Sequence, residues 1–355
     1  MDNQNKALSP KKDSVALRVY KNPYFRYVLF GLFLCVVPLL ASLGIFPNSF
    51  ITLIGGVIIY TVVGLGLNLL LGYSGLISLG TAGFMGLGAY VSGYLSNNLE
   101  MPFIVSLIVG VLVAAIIGVL VGFVSLRVAG TYLGIATLCV SEILRKTYEE
   151  LDVFTGGLSG LNGNYPEFFG TRMGRTGTYI LLAVVLVLIM MLTHNLVNGQ
   201  VGRALHAMRG SEVCAQAMGI SLLKYRLMIF SIATAYAALG GVLYMHFIKF
   251  SYPPVWVLML SLQVLAAIVI GGLRSIYGTF FGALIVFAIP DLVLKRIPII
   301  GKIDGLSYVF SGVLIILVIM LYPAGVKGLS DDFKKLVARI KKNRANKKNG
   351  GKEEV

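Results

Sequence analysis

The sequence predicts an all-α fold, a polytopic transmembrane helical bundle of about ten spans with N- and C-termini on the cytoplasmic side. Three observations carry that prediction. Of 355 residues, 57% are hydrophobic and 13% charged, whereas a soluble domain carries about 25% charged residues. Several apolar runs reach the roughly 20 residues that a membrane-crossing helix needs. The basic residues behind the net charge of +15 gather at the two ends and in one central segment, Gly202–Arg226. Cytoplasmic loops are enriched in Lys and Arg in this way. Clustering of that kind also argues against a nucleic-acid partner.

The elements follow in order. Residues 1–25 form a basic cytoplasmic arm with no cleavable signal pattern, so the run after it is retained as a span. Apolar windows place spans at Tyr27–Phe46, Phe50–Leu71, Leu76–Leu95, Pro102–Leu126 and Gly130–Leu144. Five more follow at Thr178–Val197, Leu227–Ile248, Trp256–Gly271, Ile276–Leu294 and Leu306–Tyr322, completing a transmembrane domain over 26–323. With the arm inside, Arg127, the loop 200–226, Arg274 and the tail from Lys327 fall inside too, and the near-neutral loop Glu149–Arg175 falls outside. Lys295, Arg296 and Lys302 land outside, against the rule. In the tail, 324–355, Ser330 is placed to cap a helix bearing Phe333, Leu336, Val337 and Ile340 on one side and lysines elsewhere. That pattern suits the surface of an anionic lipid bilayer.

Leu76–Leu95 carries Gly80, Gly83, Gly86, Gly88 and Gly93. Each glycine weakens a helix by about 1 kcal/mol relative to alanine, so this span must gain from close packing inside the bundle. Ser78, Thr81 and Thr137 put hydroxyls in Gly-rich spans, where they either bond to their own backbone or line a translocation pathway. Glu142 and Arg145 stand three apart and can pair on one helix face, as an interfacial anchor or a polar feature of the external mouth. Thr155, Gly156 and Gly157 open a Gly-rich loop, read either as a flexible connection or as a contact for an external protein.

Cys35, Cys139 and Cys214 lack paired spacing, and His194, His206 and His246 are scattered. No metal site, disulfide framework or catalytic constellation is indicated. No Walker A sequence occurs, so a transporter with this sequence needs its ATP hydrolysed elsewhere.

Between two long apolar runs lies the polar signature Ser211–Ile220, with Ala215, Ala217 and Gly219 small and Glu212 near its start. It is either a solvated connector or a helix built to fit a cleft in a soluble motor. Gly202, Arg203, Ala204 and Leu205, leading to Glu212, Ala215, Ala217, Gly219 and Ile220, resemble the cytoplasmic loop of ABC importer permeases of the branched-chain amino acid type. The first Gly-rich block, from Gly64 through Asn68, Gly72, Gly75, Ser78, Gly80 and Phe84 to Gly86 and Gly88, is similar to that family's. So are Tyr132–Arg145, the loop Thr155-Gly156-Gly157 with Gly160, and the final block of Gly271, Gly272, Ser275, Gly278 and Gly282. The resemblance runs in order from about Tyr60 to Ile289.

It implies a permease subunit of an ABC importer in a bacterial cytoplasmic (inner) membrane, with no catalytic residues and no cofactor of its own. Its partners would be a second homologous permease or another copy of itself, two ABC ATPase subunits that use ATP and Mg, and an extracellular or periplasmic solute-binding protein. Arg203, Arg209, Glu212, Ala215, Gly219 and Ile220 would couple to the ATPases. Asn68, Ser78, Thr81, Gly86, Thr137 and Ser275 are candidates for the pathway. Glu142, Arg145, Thr155, Gly156 and Gly157 are candidates for the external mouth or binding-protein contact. The loop departs from the family's Glu-Ala-Ala opening, since Val213 and Cys214 precede Ala215. Leu76, Thr81 and Arg274 stand where the family often has Gln, His and Gly. Branched-chain amino acids are the implied cargo, with urea, short amides and nucleosides open as alternatives. An ion-coupled secondary transporter would need mid-span acids or bases, and an intramembrane enzyme a nucleophile or metal cluster. The sequence offers little for either.

Overall fold

The computed structural model describes residues 22–42, 47–125, 131–168 and 171–294, with single positions between 309 and 320. The basic arm, most of the predicted span Leu306–Tyr322, and the tail helix after Ser330 lie outside the described residues. The helices are α1 (Pro23–Ser42), α2 (Asn48–Asn68), α3 (Thr81–Asn98), α4 (Phe103–Ser125), α5 (Thr131–Glu150) and α6 (Arg175–Asn198). After them come α7 (Gln200–Gly210), α8 (Glu212–Ala217), α9 (Leu222–Ile248), α10 (Leu258–Gly271), α11 (Ile276–Ala283) and α12 (Ile289–Leu294). Wide π-turns continue α2 over Leu69–Ser74 and join α11 to α12 over Leu284–Ala288.

Among the described residues, six helices are long and apolar enough to cross a membrane: Pro23–Ala41, Ser49–Ser74, Phe103–Ser125, Arg175–Asn198, Leu222–Ile248 and Pro253–Gly271. Ile276–Leu292 is a shorter apolar helix. The remaining two long helices, α3 and α5, carry more polar residues.

Two predicted boundaries move. The helix expected over Leu76–Leu95 begins only at Thr81 and runs to Asn98. Gly75 takes a left-handed φ of 76°, which closes the π-turn before it, and Leu76–Gly80 is not helical. The helix expected over Gly130–Leu144 extends instead from Thr131 to Glu150.

α4 shows why the bundle packs as it does. Its buried positions Ser106, Gly110, Ala114, Gly118, Gly122 and Ser125 recur about every four residues. They form a small-residue stripe that lets helix backbones approach closely. Ile108, Leu112, Ile116 and Leu120 point outward, as lipid contact requires. The stripe faces α9: a Cβ at Gly118 would meet Thr234, and one at Gly122 would meet Leu227 and Phe230.

α9 also crosses α3 with almost no space between. A Cβ at Gly88 would strike the Ala238 carbonyl, and one at Gly241 the Met85 carbonyl. Gly271 and Gly278 set α10 against α11 in the same way. At the other end of α9, two-residue strands β1 (Leu161–Asn162) and β4 (Phe250–Ser251) pair antiparallel. A separate hairpin joins β2 (Glu167–Phe168) to β3 (Thr171–Arg172).

Candidate functional site

α8 is a capped knob between α7 and α9. Ser211 Oγ accepts a hydrogen bond from the Cys214 amide (3.3 Å) and so caps its start. Gly219 ends it at φ 78°. The Ile220 amide bonds to the Ala215 carbonyl and the Gly219 amide to the Gln216 carbonyl, the paired bonds of a glycine-terminated helix. The predicted helix Ser211–Ile220 is therefore six residues of helix inside two caps. Ala215 is its buried residue and Ile220 is half-buried. Val213 and Met218 are 78% and 82% exposed, apolar side chains presented outward on a polar loop.

Three tethers bind this region to the bundle. Arg226 on α9 pairs with Glu212 on α8. Arg203 Nη1 donates to the Asn198 carbonyl at the end of α6 (3.3 Å). Arg209, at the end of α7, donates to the Gly72 carbonyl in the π-turn of α2. Partial burial, and then the neighbouring Arg274, lower the Arg209 pKa from its ordinary value. Arg274 Nε donates to that same Gly72 carbonyl at 2.9 Å. Arg274 has a φ of 63°, a left-handed conformation that glycine adopts without strain. The resemblance marked this position as commonly Gly, and its backbone supplies the reason.

Asn68, a pathway candidate, is a buried hub that joins α2 to the α10–α11 turn. Its Oδ1 accepts from the Arg274 amide (2.9 Å), and its Nδ2 donates to Thr279 Oγ1 (2.9 Å) and to the Ser275 carbonyl (3.4 Å). Ser275 itself caps α11, its Oγ accepting from the Gly278 amide at 3.0 Å. Nothing in the local pattern around Asn68 signals these partners, which lie more than 200 residues away. Asn68→Leu leaves buried polar groups unmatched and is expected to lower stability by about 2–3 kcal/mol. A melting curve of the detergent-solubilised variant checks this, and an unchanged midpoint would show that the hub does not hold the turn.

The other pathway candidates separate. Ser78 and Thr81, with Thr234, line a small, half-open cavity of about 10 Å³ bounded by Leu67, Leu70, Phe84 and Phe230. Such a space is about one water molecule in size. Thr137 Oγ1 donates to the Gly134 carbonyl and accepts from the Leu79 amide, holding the non-helical segment before α3. Gly86 is packed against Tyr148 and Trp256. These six residues do not form one lining.

The loop after α5 is built rather than loose. Thr155 is buried, and its single Oγ1 hydrogen is shared between the carbonyls of Tyr148 (2.6 Å) and Leu151 (2.8 Å). It accepts from the Gly157 amide at 3.2 Å. Gly156 and Gly157 have φ of 70° and 55°, so both positions need glycine. Glu142 and Arg145 pair as expected, and Arg145 also reaches Glu149, which pairs with Lys146 at 2.5 Å. Sequence reasoning missed Glu149, although its i+4 spacing from Arg145 could have found it. Among the described residues no group of His, Cys, Asp and Glu could hold a metal ion.

The family described as "Branched-chain amino acid transport system / permease component" matches residues 49–319. The chain is 29% identical over 293 residues to the high-affinity branched-chain amino acid transport system permease protein LivM of Escherichia coli (strain K12). That match covers 76% of this chain and 67% of the relative. A probable branched-chain amino acid transport permease protein LivM of Methanocaldococcus jannaschii is 28% identical, over 76% of this chain and 90% of its own. A solved chain of PsaBC from Streptococcus pneumoniae, in complex with Fab, is 19% identical. It covers 80% of this chain and 95% of its own at a TM-score of 0.41, too weak a likeness to extend further.

Proposed function

The chain belongs to the permease component family of branched-chain amino acid transport systems, and from that premise we propose that it is the membrane subunit of an ATP-driven importer for branched-chain amino acids. It is a multi-pass membrane protein whose family is a transport subunit rather than an enzyme. In this reading it sits in a bacterial cytoplasmic membrane with about ten spans and both ends inside. It works with a second permease chain, two ATPase subunits that bind ATP and Mg, and an external solute-binding protein.

The observation that carries the proposal is the knob at α8. A helix of six residues that leaves Val213 and Met218 uncovered gains little by itself in water. Its shape makes sense as half of an interface, gripped by a soluble subunit. The Glu212–Arg226 pair passes its displacement directly to the foot of α9. Arg209 passes it to the π-turn below Asn68. ATP binding would thereby move the knob, the foot of α9 and the end of α2 together.

Co-reconstitution of this chain with the ATPase, permease and binding-protein subunits in vesicles tests the reading. The expected result is leucine uptake that requires internal ATP and every subunit, with excess leucine, isoleucine or valine competing and urea, short amides and nucleosides failing to. Leucine accumulation by this chain alone, driven by an ion gradient, would reject the proposal.

A further inference from the structure

α1 and α11 bound a shallow groove of about 530 Å³ on the flank of the bundle. Arg26, Leu29, Phe33 and Val36 follow one another at spacings of three and four, so they share one face of α1. Leu32 widens that face, and Tyr277 at the start of α11 forms the opposite wall. Leu32 and Phe33 are 61% and 69% exposed. Only the charged end distinguishes this groove from an ordinary lipid-facing surface.

Hydrogen bonds fix the level of that end. Tyr24 Oη donates to Asn195 Oδ1, and Tyr27 Oη lies 3.3 Å from His194 Nδ1. Both partners stand near the end of α6, which leads into α7 and the basic segment bearing Arg203, Arg209 and Arg226. Arg26 therefore stands at the cytoplasmic boundary that the enrichment of Lys and Arg assigns to that segment. From Arg26 to Val36 the groove is about 15 Å long at 1.5 Å per residue. That is half of a hydrocarbon core about 30 Å thick, the depth of one leaflet.

Arg26 is held in place but not neutralised. Its guanidinium carbon lies 5.8 Å from the centroid of the Tyr277 ring, within reach of a cation–π contact. Tyr277 is itself fixed, stacked on Tyr27 at 5.3 Å and met edge-on by Phe30 at 5.6 Å. The groove lining, among the described residues, contains no carboxylate, and the first turn of α1 has no acidic residue. A helix dipole opposes a cation in its first turn, so the arrangement calls for an anion beside Arg26. The sequence adds Arg18 and Lys21 just before α1, and basic segments at the cytoplasmic surface attract anionic lipids.

We infer that this groove is a binding site for one anionic phospholipid of the cytoplasmic leaflet. Its phosphate pairs with Arg26, and one acyl chain lies along Leu29, Phe33 and Val36. A soluble phosphate compound leaves the apolar length unfilled, and an apolar protein helix leaves the Arg26 charge unmatched. The site depends on the membrane fold of this chain and not on its transport partners.

Tryptophan quenching in vesicles tests the site. The full chain carrying Leu32→Trp is reconstituted in phosphatidylcholine with added brominated phosphatidylglycerol, or with brominated phosphatidylcholine in a parallel series. The single native tryptophan, Trp256, is buried, and the unsubstituted chain gives its background. Brominated phosphatidylglycerol should quench about fivefold more effectively per lipid than brominated phosphatidylcholine. Arg26→Gln should bring that ratio to about one, whereas Arg26→Lys, which keeps a point charge for phosphate, should largely preserve it. Leu112→Trp, on the outward face of α4, should show no preference, and its unchanged quenching by phosphatidylcholine in the Arg26→Gln chain shows that this variant is inserted. Glycerol phosphate in solution should leave the preference intact. Equal quenching by the two lipids at position 32, or the same preference at position 112, would overturn the inference. Loss of the preference on adding glycerol phosphate would overturn it in favour of a free-phosphate site. Absence of quenching by either lipid would overturn it in favour of a groove covered by protein.

Discussion

Gly241→Leu is expected to prevent the bundle from assembling. Even the first side-chain atom at this position would overlap the Met85 backbone carbonyl, and backbone cannot swing aside as a flexible side chain can. Overpacking in a filled interior usually costs about 1–3 kcal/mol, and here α9 must move bodily away from α3. The reciprocal contact at Gly88, against the Ala238 carbonyl, would be lost in the same displacement. The loss should therefore exceed about 3 kcal/mol, seen as aggregation on size-exclusion chromatography and no cooperative melting transition in detergent. Gly56 offers a control, because nothing lies within 4 Å of a Cβ placed there and Gly56→Ala should be nearly silent. A monodisperse Gly241→Leu protein with unchanged melting would mean that α3 and α9 do not meet as described.

The second large effect is on transport rather than stability. Gly219→Arg should leave the protein folded and inserted while separating ATP hydrolysis from uptake. A non-glycine residue held at φ 78° is strained by about 1–2 kcal/mol, and a Cβ there meets nothing within 4 Å. The bundle can absorb that loss. What changes is the surface: Gly219 lines a shallow hollow with Gln216, Ile220, Leu223 and Arg226, and a long cation would fill it. Gly219→Asn is the discriminating partner, since asparagine tolerates the left-handed region without the bulk or charge. Uptake in reconstituted vesicles should survive Asn and fall to background with Arg, while ATPase activity persists. Equal uptake by both variants would remove the hollow from the docking surface.

Much of this architecture was legible because it depends on short-range pattern. Apolar length announces a span, and the four-residue recurrence of small side chains in α4 announces a packing seam. Ser211 and Gly219 bracket the knob with the residues that helix ends prefer. Glu142 and Arg145 declare their pairing by spacing alone. Other features have no local signature. Leu76–Gly80 is as apolar as the helix it was expected to begin, and only the left-handed Gly75 and the hydrogen bond from the Leu79 amide to Thr137 Oγ1 show that the chain is unwound there. The π-turns differ from ordinary helix by one extra residue per turn, which composition does not encode. Asn68 stands in the first Gly-rich block that carries the resemblance, but its partners Arg274 and Thr279 come from the far end of the sequence. The hydroxyls of Thr137 and Ser275 bond to backbone groups, whereas Ser78 and Thr81 line a small cavity.

α9 is a continuous strut of 27 residues. Its lower end is clasped by Glu212 through Arg226, and its upper end leads directly into β4, whose partner β1 belongs to the chain between α5 and α6. A lever with a grip at one end and a stitched ribbon at the other delivers a pull on the knob to the opposite surface with no intermediate joint to soften it. Under the proposed function, nucleotide state on one side of the bilayer would be felt as a tug on Leu161 and Asn162 on the other.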